Sequence, residues 1–191
     1  MTAVSQTVDF TVEDGVGVIT IDSPPVNALS SHVRDGLYEG MKAAIADDAV
    51  KSVVIICAGR TFIAGADISE FGGEQKGASL FDAQEAIENS TKPVVAAIHG
   101  TALGGGLEVA LTAHFRVAIA SARFGLPEVN LGLLPGAGGT QRLPRVVGAE
   151  QALHMMTSGA QIGTKEALAS GLIEEVVDDL RAGAIAFAQK V

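Results

Sequence analysis

The sequence predicts an α/β fold in which buried strands alternate with amphipathic helices. Apolar runs at residues 52–57 and 94–98 have the composition of strands that are covered on both faces. Segments with the spacing of a helix follow these runs, so the order strand, strand, helix recurs along the chain. A helix laid against each pair of strands is an α/β arrangement.

The first unit of this pattern is predicted from the N-terminal residues. Residues 7–12 and 16–21 are expected to form a hairpin, because the turn signal Glu13-Asp14-Gly15 separates them. Ser30 is a good N-cap for a helix that runs to about Ala46. The buried face of that helix is expected to consist of Val33, Leu37, Met41, Ala44 and Ile45.

The remaining elements follow from the same two periodicities and from glycine and proline breaks. They are, in chain order, strand 51–57, a loop at 59–67, a short helix around 68–71, helix 79–89, strand 94–98, helix 105–113, strand 115–120, an extended piece at 122–125, a loop at 130–140, helices 141–147, 149–158 and 164–169, an extended piece at 171–177 and helix 180–190.

The composition limits the classes of partner and compartment. A chain of 191 residues, 48% of them hydrophobic, can bury the core of one domain, and its net charge of −9 argues against nucleic acid or an anionic membrane as partner. Cys57, the only cysteine, lies in an apolar run and is expected to be buried. The sequence shows no secretory leader and no apolar run long enough to span a membrane, so we expect a soluble protein of a bacterial cytoplasm. A location in a peroxisome or a mitochondrion stays open as an alternative.

The stretch from Ile98 to Thr112 carries the strongest chemical signal. Gly104, Gly105 and Gly106 stand where an apolar strand gives way to a helix, and they leave backbone N–H groups bare at the positive end of the helix dipole. A negative or developing-negative oxygen would be stabilised there. Glu108 lies about one turn further along the same side, so a carboxylate is expected close to this anion-accepting backbone.

Two further motifs lie in predicted loops. Ala64–Asp67 follows a buried strand, at the end where ligands bind in open α/β sheets, and its small residues would let a ligand approach the N–H of Ala66. Glu128 follows a proline and precedes the glycine-rich loop 130–140. Each motif alone favours a structural role over a functional one.

Together, the motifs resemble those of the crotonase (enoyl-CoA hydratase/isomerase) family. Ala-Gly-Ala-Asp-Ile at 64–68, Gly-Gly-Gly-Leu-Glu at 104–108, Pro-Glu at 127–128 and Pro-Gly-Ala-Gly-Gly-Thr-Gln-Arg-Leu at 135–143 occur in the family's order. Pro-Val-Asn-Ala-Leu at 25–29 also looks like the family's early segment that contacts coenzyme A.

The likeness runs from about Val8 to Val177, and it is similar to the N-terminal hydratase part of multifunctional fatty-acid oxidation enzymes, which join a hydratase to a 3-hydroxyacyl-CoA dehydrogenase. The resemblance implies a ClpP/crotonase spiral of ββα units, forming a single domain over residues 1–191. Stand-alone relatives continue for several more helices, so we expect a truncated C-terminal helical part and an N-terminal fragment of a longer chain.

The resemblance also implies a site. The backbone N–H groups of Ala66 and Gly105 would form an oxyanion hole for the thioester oxygen, Glu128 would give a proton to the α-carbon, and Glu108 would help to activate water. Two close carboxylates repel, so at least one pKa should be raised. Further contacts to the acyl-CoA are implied for Val26, Ala28, Ala64, Gly65, Ala66, Asp67, Ile68, Gly104, Gly105, Pro127 and Gly136.

Asp67 is more simply read as a loop-capping residue. The four histidines show no ligand spacing, so no metal site is predicted. The resemblance implies no permanently bound cofactor, coenzyme A arrives as the substrate's thioester, and NAD would be used only by a dehydrogenase part beyond residue 191. A homo-oligomer, or a partner domain in the same protein, is the expected assembly.

The implied activity is that of an enoyl-CoA hydratase in fatty-acid β-oxidation. Isomerase-only members generally lack a carboxylate like Glu108, so its presence favours the hydratase, with Δ3-Δ2-enoyl-CoA isomerisation as a further activity. Two alternatives stay open, because one fold hosts many reactions. They are another acyl-CoA reaction of this fold and a non-catalytic acyl-CoA-binding or assembly module.

Overall fold

The structure is a computed structural model and describes residues 2–70, 72 and 76–191. Its strands are β1 (Thr2–Ala3), β2 (Val8–Glu13), β3 (Val16–Ile21), β4 (Ser52–Cys57), β5 (Val94–Ile98), β6 (Thr101–Leu103), β7 (Phe115–Ala118), β8 (Arg123–Gly125), β9 (Gln161–Gly163) and β10 (Glu175–Val176). Its helices are α1 (Ser31–Ala46), α2 (Leu80–Glu88), α3 (Gly105–Ala110), α4 (Gly139–Val147), α5 (Ala149–Ser158), α6 (Thr164–Ala169) and α7 (Leu180–Ala188), with 3-10 helices at Ile68–Glu70 and Pro127–Leu131.

The strands form a large sheet in the order β1-β2-β3-β4-β5-β7-β10 and a small sheet in the order β6-β8-β9. β2 and β3 make the expected antiparallel hairpin, and β3, β4, β5, β7 and β10 run parallel. Both strands of the first unit lie in the large sheet, whereas in the later units the second extended segment lies outside it: Ala64 bridges in parallel to Leu103 of β6, which pairs in parallel with β8. Successive units therefore climb along two sheets, and the predicted α/β spiral is confirmed.

Both faces of the large sheet are covered, which explains why every residue of β5 and every residue of β4 after Ser52 is apolar. Side chains alternate along a strand, so Val53 and Ile55 of β4 face the core beneath α1 and α2. Val54 and Ile56 face the opposite way and pack with Ala184 of α7. The C-terminal helix thus closes the second face. Within residues 2–70, 72 and 76–191, no helix is long and apolar enough to cross a membrane.

Several predicted bounds are confirmed to the residue, namely those of β3, β5, α5 and α6. The burial predicted for Cys57 is confirmed as well, and burial raises the pKa of its thiol well above the usual value. The predicted short helix around 68–71 is a 3-10 helix at Ile68–Glu70, and Phe71 lies outside the described residues.

Other predictions about single elements were wrong. The three-residue strands β6 and β9 were not anticipated, and α3 ends at Ala110 rather than at residue 113. Ile45 lies off the buried face of α1 and is 37% exposed. Strand pairing in the predicted extended piece 171–177 is limited to β10.

The N-terminus of α1 differs from the prediction in its chemistry. The Ser30 side chain makes no capping hydrogen bond; instead, the N–H of Ser31 donates to Glu70 Oε1 at 2.8 Å. Arg34 pairs with the other oxygen of the same carboxylate at 2.8 Å. A carboxylate is favoured at a helix N-terminus, so Glu70, 39 residues away in sequence, takes the role that was predicted for Ser30.

One glycine fixes the distance between two turns of the spiral. Gly106 in α3 lies against the Ile63 backbone, and a Cβ added to Gly106 would collide with the Ile63 carbonyl group. A backbone carbonyl cannot move aside as the end of a flexible side chain can. The contact therefore fixes the distance between the start of α3 and the loop that precedes Ala64.

Gly106→Ala is therefore expected to lower the free energy of unfolding by about 1–3 kcal/mol, the usual cost of overpacking. Urea unfolding followed by circular dichroism would measure the change. Gly136→Ala is the matched control, since the nearest atom to its added Cβ would be the Leu134 carbonyl oxygen at 3.8 Å. Equal stability of the two variants would contradict the steric argument.

Candidate active site

A cavity of about 200 Å³ opens between three chain segments: the loop after β4, the end of β6 and the 3-10 helix with the residues after it. Among the described residues that line it, Glu128 is the one charged side chain. The lining consists of Ala64, Gly65, Ala66, Leu103, Gly104, Pro127, Glu128, Leu131 and Leu133. Six of these belong to the predicted site, whereas the three leucines were not predicted.

The Ala66 N–H is oriented by a neighbouring segment. Leu29 donates its N–H to the Gly65 carbonyl at 3.0 Å. The Gly65 carbonyl and the Ala66 N–H belong to one peptide unit and point in opposite directions, so the Ala66 N–H points away from Leu29. Ala64 donates to the Val26 carbonyl at 3.2 Å in the same way. Gly65 has φ +95°, which favours glycine at this position. The segment that holds Val26 and Ala28 therefore braces the loop.

Gly105 lies beside the backbone nitrogen of Ala66. Gly105 is the first residue of α3, and an added Cβ would lie 3.7 Å from the Ala66 nitrogen and 3.0 Å from Leu29 Cδ1. Among the hydrogen bonds of the described residues, neither the Ala66 N–H nor the Gly105 N–H has an acceptor. Two adjacent backbone donors at the edge of the cavity thus stay available to an anionic oxygen.

Glu128 lines the same cavity and lies against Gly104, the residue before Gly105. Its Oε1 would be 3.1 Å from a Cβ on Gly104, so the carboxyl group packs against the turn that begins α3. Its Oε2 is buried and has no hydrogen-bond partner among the described residues. Burial raises the pKa of Glu128, and the negative charge of Glu108 raises it further.

Glu108 is more deeply buried, with only 2% of its surface exposed. Its Oε1 accepts hydrogen bonds from the N–H groups of Ala137 and Gly139, both at 2.8 Å. Burial raises the pKa of Glu108, while these two bonds and the charge of Arg142 act in the opposite direction. Two carboxyl groups of raised pKa, close enough for one charge to affect the other, can hold and move protons at one site.

The remaining predicted residues take different places. Asp67 Oδ1 accepts hydrogen bonds from the Ser69 N–H at 3.0 Å and from its hydroxyl at 2.7 Å, which is the capping role that was the simpler interpretation. Ile68 begins the 3-10 helix, and its side chain lies outside the described residues. Gly136 is exposed and is not part of the cavity wall, but it precedes Ala137, which binds Glu108.

Two functional features were missed. Asn27 is buried at a positive φ of 53°, and its Nδ2 donates to the carbonyls of Ala58 and Thr61, both at 2.9 Å. It ties the segment of Val26 and Ala28 to the loop after β4. Asparagine is favoured at positive φ, so its position after Pro24-Pro25-Val26 was a usable signal. The leucines at 131 and 133, apolar residues in a glycine-rich loop, were another.

No group of three or more His, Cys, Asp or Glu side chains in the described part of the chain could hold a metal ion.

Comparison with known proteins gives consistent matches. The family described as enoyl-CoA hydratase/isomerase matches residues 11–191. A peroxisomal bifunctional enzyme of Danio rerio is 50% identical over 87% of this chain, and a probable enoyl-CoA hydratase of Bacillus subtilis is 45% identical over 96% of it. The crystal structure of an enoyl-CoA hydratase from Bacillus anthracis superimposes with a TM-score of 0.90 at 35% identity, covering 97% of this chain. The family resemblance noted in the sequence is confirmed.

The chain spans different shares of these relatives. It covers 23% of the Danio rerio enzyme, 76% of the Bacillus subtilis protein and 76% of the chain in the Bacillus anthracis structure.

Glu128→Gln is expected to stabilise the protein at about pH 8 more than at about pH 5. The pKa of Glu128 is raised in the folded state, so ionising this group at a pH above its unfolded-state pKa costs folding free energy. Stability therefore falls as pH rises from the unfolded-state pKa to the folded-state pKa. Glutamine removes that cost. Urea unfolding at several pH values would measure the gain.

Glu85→Gln is the control for this measurement. It removes one charge from an exposed position of a chain whose net charge is −9, so it reports the effect of general charge reduction. An equal pH-dependent gain in both variants would contradict a specific role for the burial of Glu128.

Proposed function

The chain belongs to the enoyl-CoA hydratase/isomerase family, and from this starting point we propose that it adds water across the 2,3-double bond of a trans-2-enoyl-CoA to give a 3-hydroxyacyl-CoA, as in fatty-acid β-oxidation. The observation that carries the proposal is the arrangement of two carboxyl groups of raised pKa, the buried Glu108 and the half-buried Glu128, near two backbone N–H groups without acceptors.

The two N–H groups would bind the thioester carbonyl oxygen. Addition of water at C3 places negative charge on that oxygen, and the N–H groups of Ala66 and Gly105, which have no acceptor among the described residues, would stabilise it. Removing one such donor in other enzymes costs about 2.7–4 kcal/mol of transition-state stabilisation. The hydrogen bond from Leu29 to Gly65 keeps one of these donors fixed, which avoids a reorganisation cost during the reaction.

The two carboxyl groups would handle the protons. The reaction forms a C3–O bond with the water oxygen, moves one proton to C2 and leaves the other proton on the new hydroxyl group. We assign proton delivery to C2 to Glu128, because its Oε2 has no partner among the described residues and its raised pKa favours the protonated form that a proton donor needs. Glu108, fixed by two N–H groups, would orient the water and polarise it.

The cavity wall supports an apolar acyl group as the part of the substrate next to the carbonyl. Apart from Glu128, the described residues that line the cavity are alanine, glycine, leucine and proline. Such a wall lowers the local dielectric constant beside the Glu128 carboxyl group and strengthens its electrostatic effect.

Isomerisation of a Δ3-enoyl-CoA to the Δ2 form is a second activity that the same site supports. It needs one carboxyl group to move a proton between C2 and C4, and Glu128 lies against Gly104 with one free oxygen. The expectations of a homo-oligomer, of a longer parent protein with an NAD-using dehydrogenase part and of a cytoplasmic location stay predictions.

The loss of enoyl-thioester absorbance with crotonyl-CoA tests the hydratase. We expect turnover by the unmodified chain, and a decrease in kcat of about 100- to 10,000-fold in both Glu108→Gln and Glu128→Gln, because general acid–base groups contribute that much. Glu85→Gln, on an exposed part of α2, should keep full activity.

The outcomes separate the alternatives. Turnover that survives both substitutions would rule out the two-carboxylate mechanism. Tight binding of crotonyl-CoA without any turnover would favour the acyl-CoA-binding module, and consumption of another acyl-CoA without hydration would favour a different reaction of the fold.

A further inference from the structure

The loop that binds Glu108 is itself held by side chains from two helices. Ala137 gives its N–H to Glu108, and its carbonyl accepts two hydrogen bonds, one from Gln84 Nε2 at 2.9 Å and one from Arg142 Nη1 at 3.1 Å. Both donors therefore act on the residue that contacts the carboxylate. Neither Gln84 nor Arg142 hydrogen-bonds to Glu108 within the part of the chain that the structure describes.

Gln84 is unusual for a packing residue. It lies in α2 with only 1% of its surface exposed, and its Oε1 has no hydrogen-bond partner among the described residues. Leaving a buried polar atom unpaired costs about 1–3 kcal/mol. An apolar side chain would avoid that cost, so stability alone does not explain a glutamine at this position.

Arg142 is anchored on its other side by the same helix. Its Nε and Nη2 donate to the two carboxylate oxygens of Glu88 at 2.9 and 2.6 Å, a bidentate pair that fixes the plane of the guanidinium group. Glu88 and Gln84 are four residues apart and so lie on one face of α2. The guanidinium group also crosses Gly138, where an added Cβ would collide with Nη1.

We propose that Gln84, Arg142 and Glu88 form a clamp that positions Glu108 for catalysis. The clamp holds the Ala137 carbonyl from α2 and α4, and thereby aims the N–H groups of Ala137 and Gly139 at Glu108 Oε1. These three are positioning residues, since they act on the carboxylate through the loop. The inference rests on the hydratase function proposed above.

The clamp has an electrostatic consequence. The charged groups that face Glu108 are Arg142 from α4 and Glu128 from the 3-10 helix, with Glu88 of α2 behind Arg142. Burial raises the pKa of Glu108, and the bonds from Gly139 and Ala137 oppose that rise. If the loop is released, those bonds weaken, and the pKa of Glu108 rises further.

Gln84→Met is the decisive variant because it removes one hydrogen bond to Ala137 without changing any charge. We expect kcat for crotonyl-CoA to fall about 10- to 100-fold, the scale of a misplaced catalytic group, with KM little changed. The acid limb of the kcat–pH profile should move to higher pH. Arg142→Met should produce a larger shift, and Arg142→Lys, which keeps the charge but not the bidentate geometry, a smaller one.

Arg145→Met is the matched control, because Arg145 is an exposed arginine of α4, the helix that contains Arg142. It should leave kcat and its pH profile unchanged. A lower thermal stability in Gln84→Met, with an unshifted acid limb and an unchanged kcat, would assign the clamp a structural role only and overturn the proposal.

A second measurement does not depend on turnover. The difference in unfolding free energy between a chain and its Glu108→Gln derivative changes with pH as Glu108 titrates in the folded state. We would measure this difference against pH in the wild-type, Gln84→Met and Arg145→Met backgrounds. The resulting curve should move to higher pH only in the Gln84→Met background. Coincident curves would overturn the clamp. If no variant hydrates crotonyl-CoA, the proposed function fails, yet the curves still decide whether the clamp acts on Glu108.

Discussion

A buried carboxylate must find hydrogen-bond donors, and this requirement at Glu108 determines much of the surrounding structure. Two N–H groups meet its Oε1 at 2.8 Å. Ala137 lies in the loop before α4 and Gly139 begins that helix, so this segment has to approach closely: a Cβ on Gly139 would lie 2.9 Å from the same oxygen. The glycine at the start of α4 therefore follows from the burial of one side chain of α3. The three side chains of the clamp extend the same constraint to α2.

The spiral brings together groups that are distant in sequence. The loop after β4, the turn after β6 and the 3-10 helix after β8 belong to successive units; β4 lies in the large sheet, and β6 and β8 lie in the small sheet. Because Ala64 pairs with Leu103 and β6 pairs with β8, those three loops end at one edge. The repeat that stabilises the fold thus also supplies the backbone donors and one carboxyl group at the cavity.

The sequence was sufficient for features that depend on local periodicity. Strands β3 and β5 and helices α5 and α6 begin and end where apolar spacing and capping signals predicted. Strands of three residues are too short to show alternation, which is why β6 and β9 were missed. Polar groups with distant partners leave no local pattern either: Glu70 caps α1 from 39 residues away, and Gln84 reaches Ala137 across 53. The roles given to Glu108, Glu128, Ala66 and Gly105 stay predictions until activity is measured.

The burial of Cys57 makes this chain convenient for spectroscopy. The only thiol lies inside the core and its pKa is well above the usual value, so thiol-directed reagents will leave the native chain unlabelled. A single cysteine introduced at an exposed position, such as Leu134→Cys, can then carry a fluorophore or spin label without background. Leu134 is 81% exposed and lies next to the loop that binds Glu108, so such a label would report how that loop moves when an acyl-CoA binds.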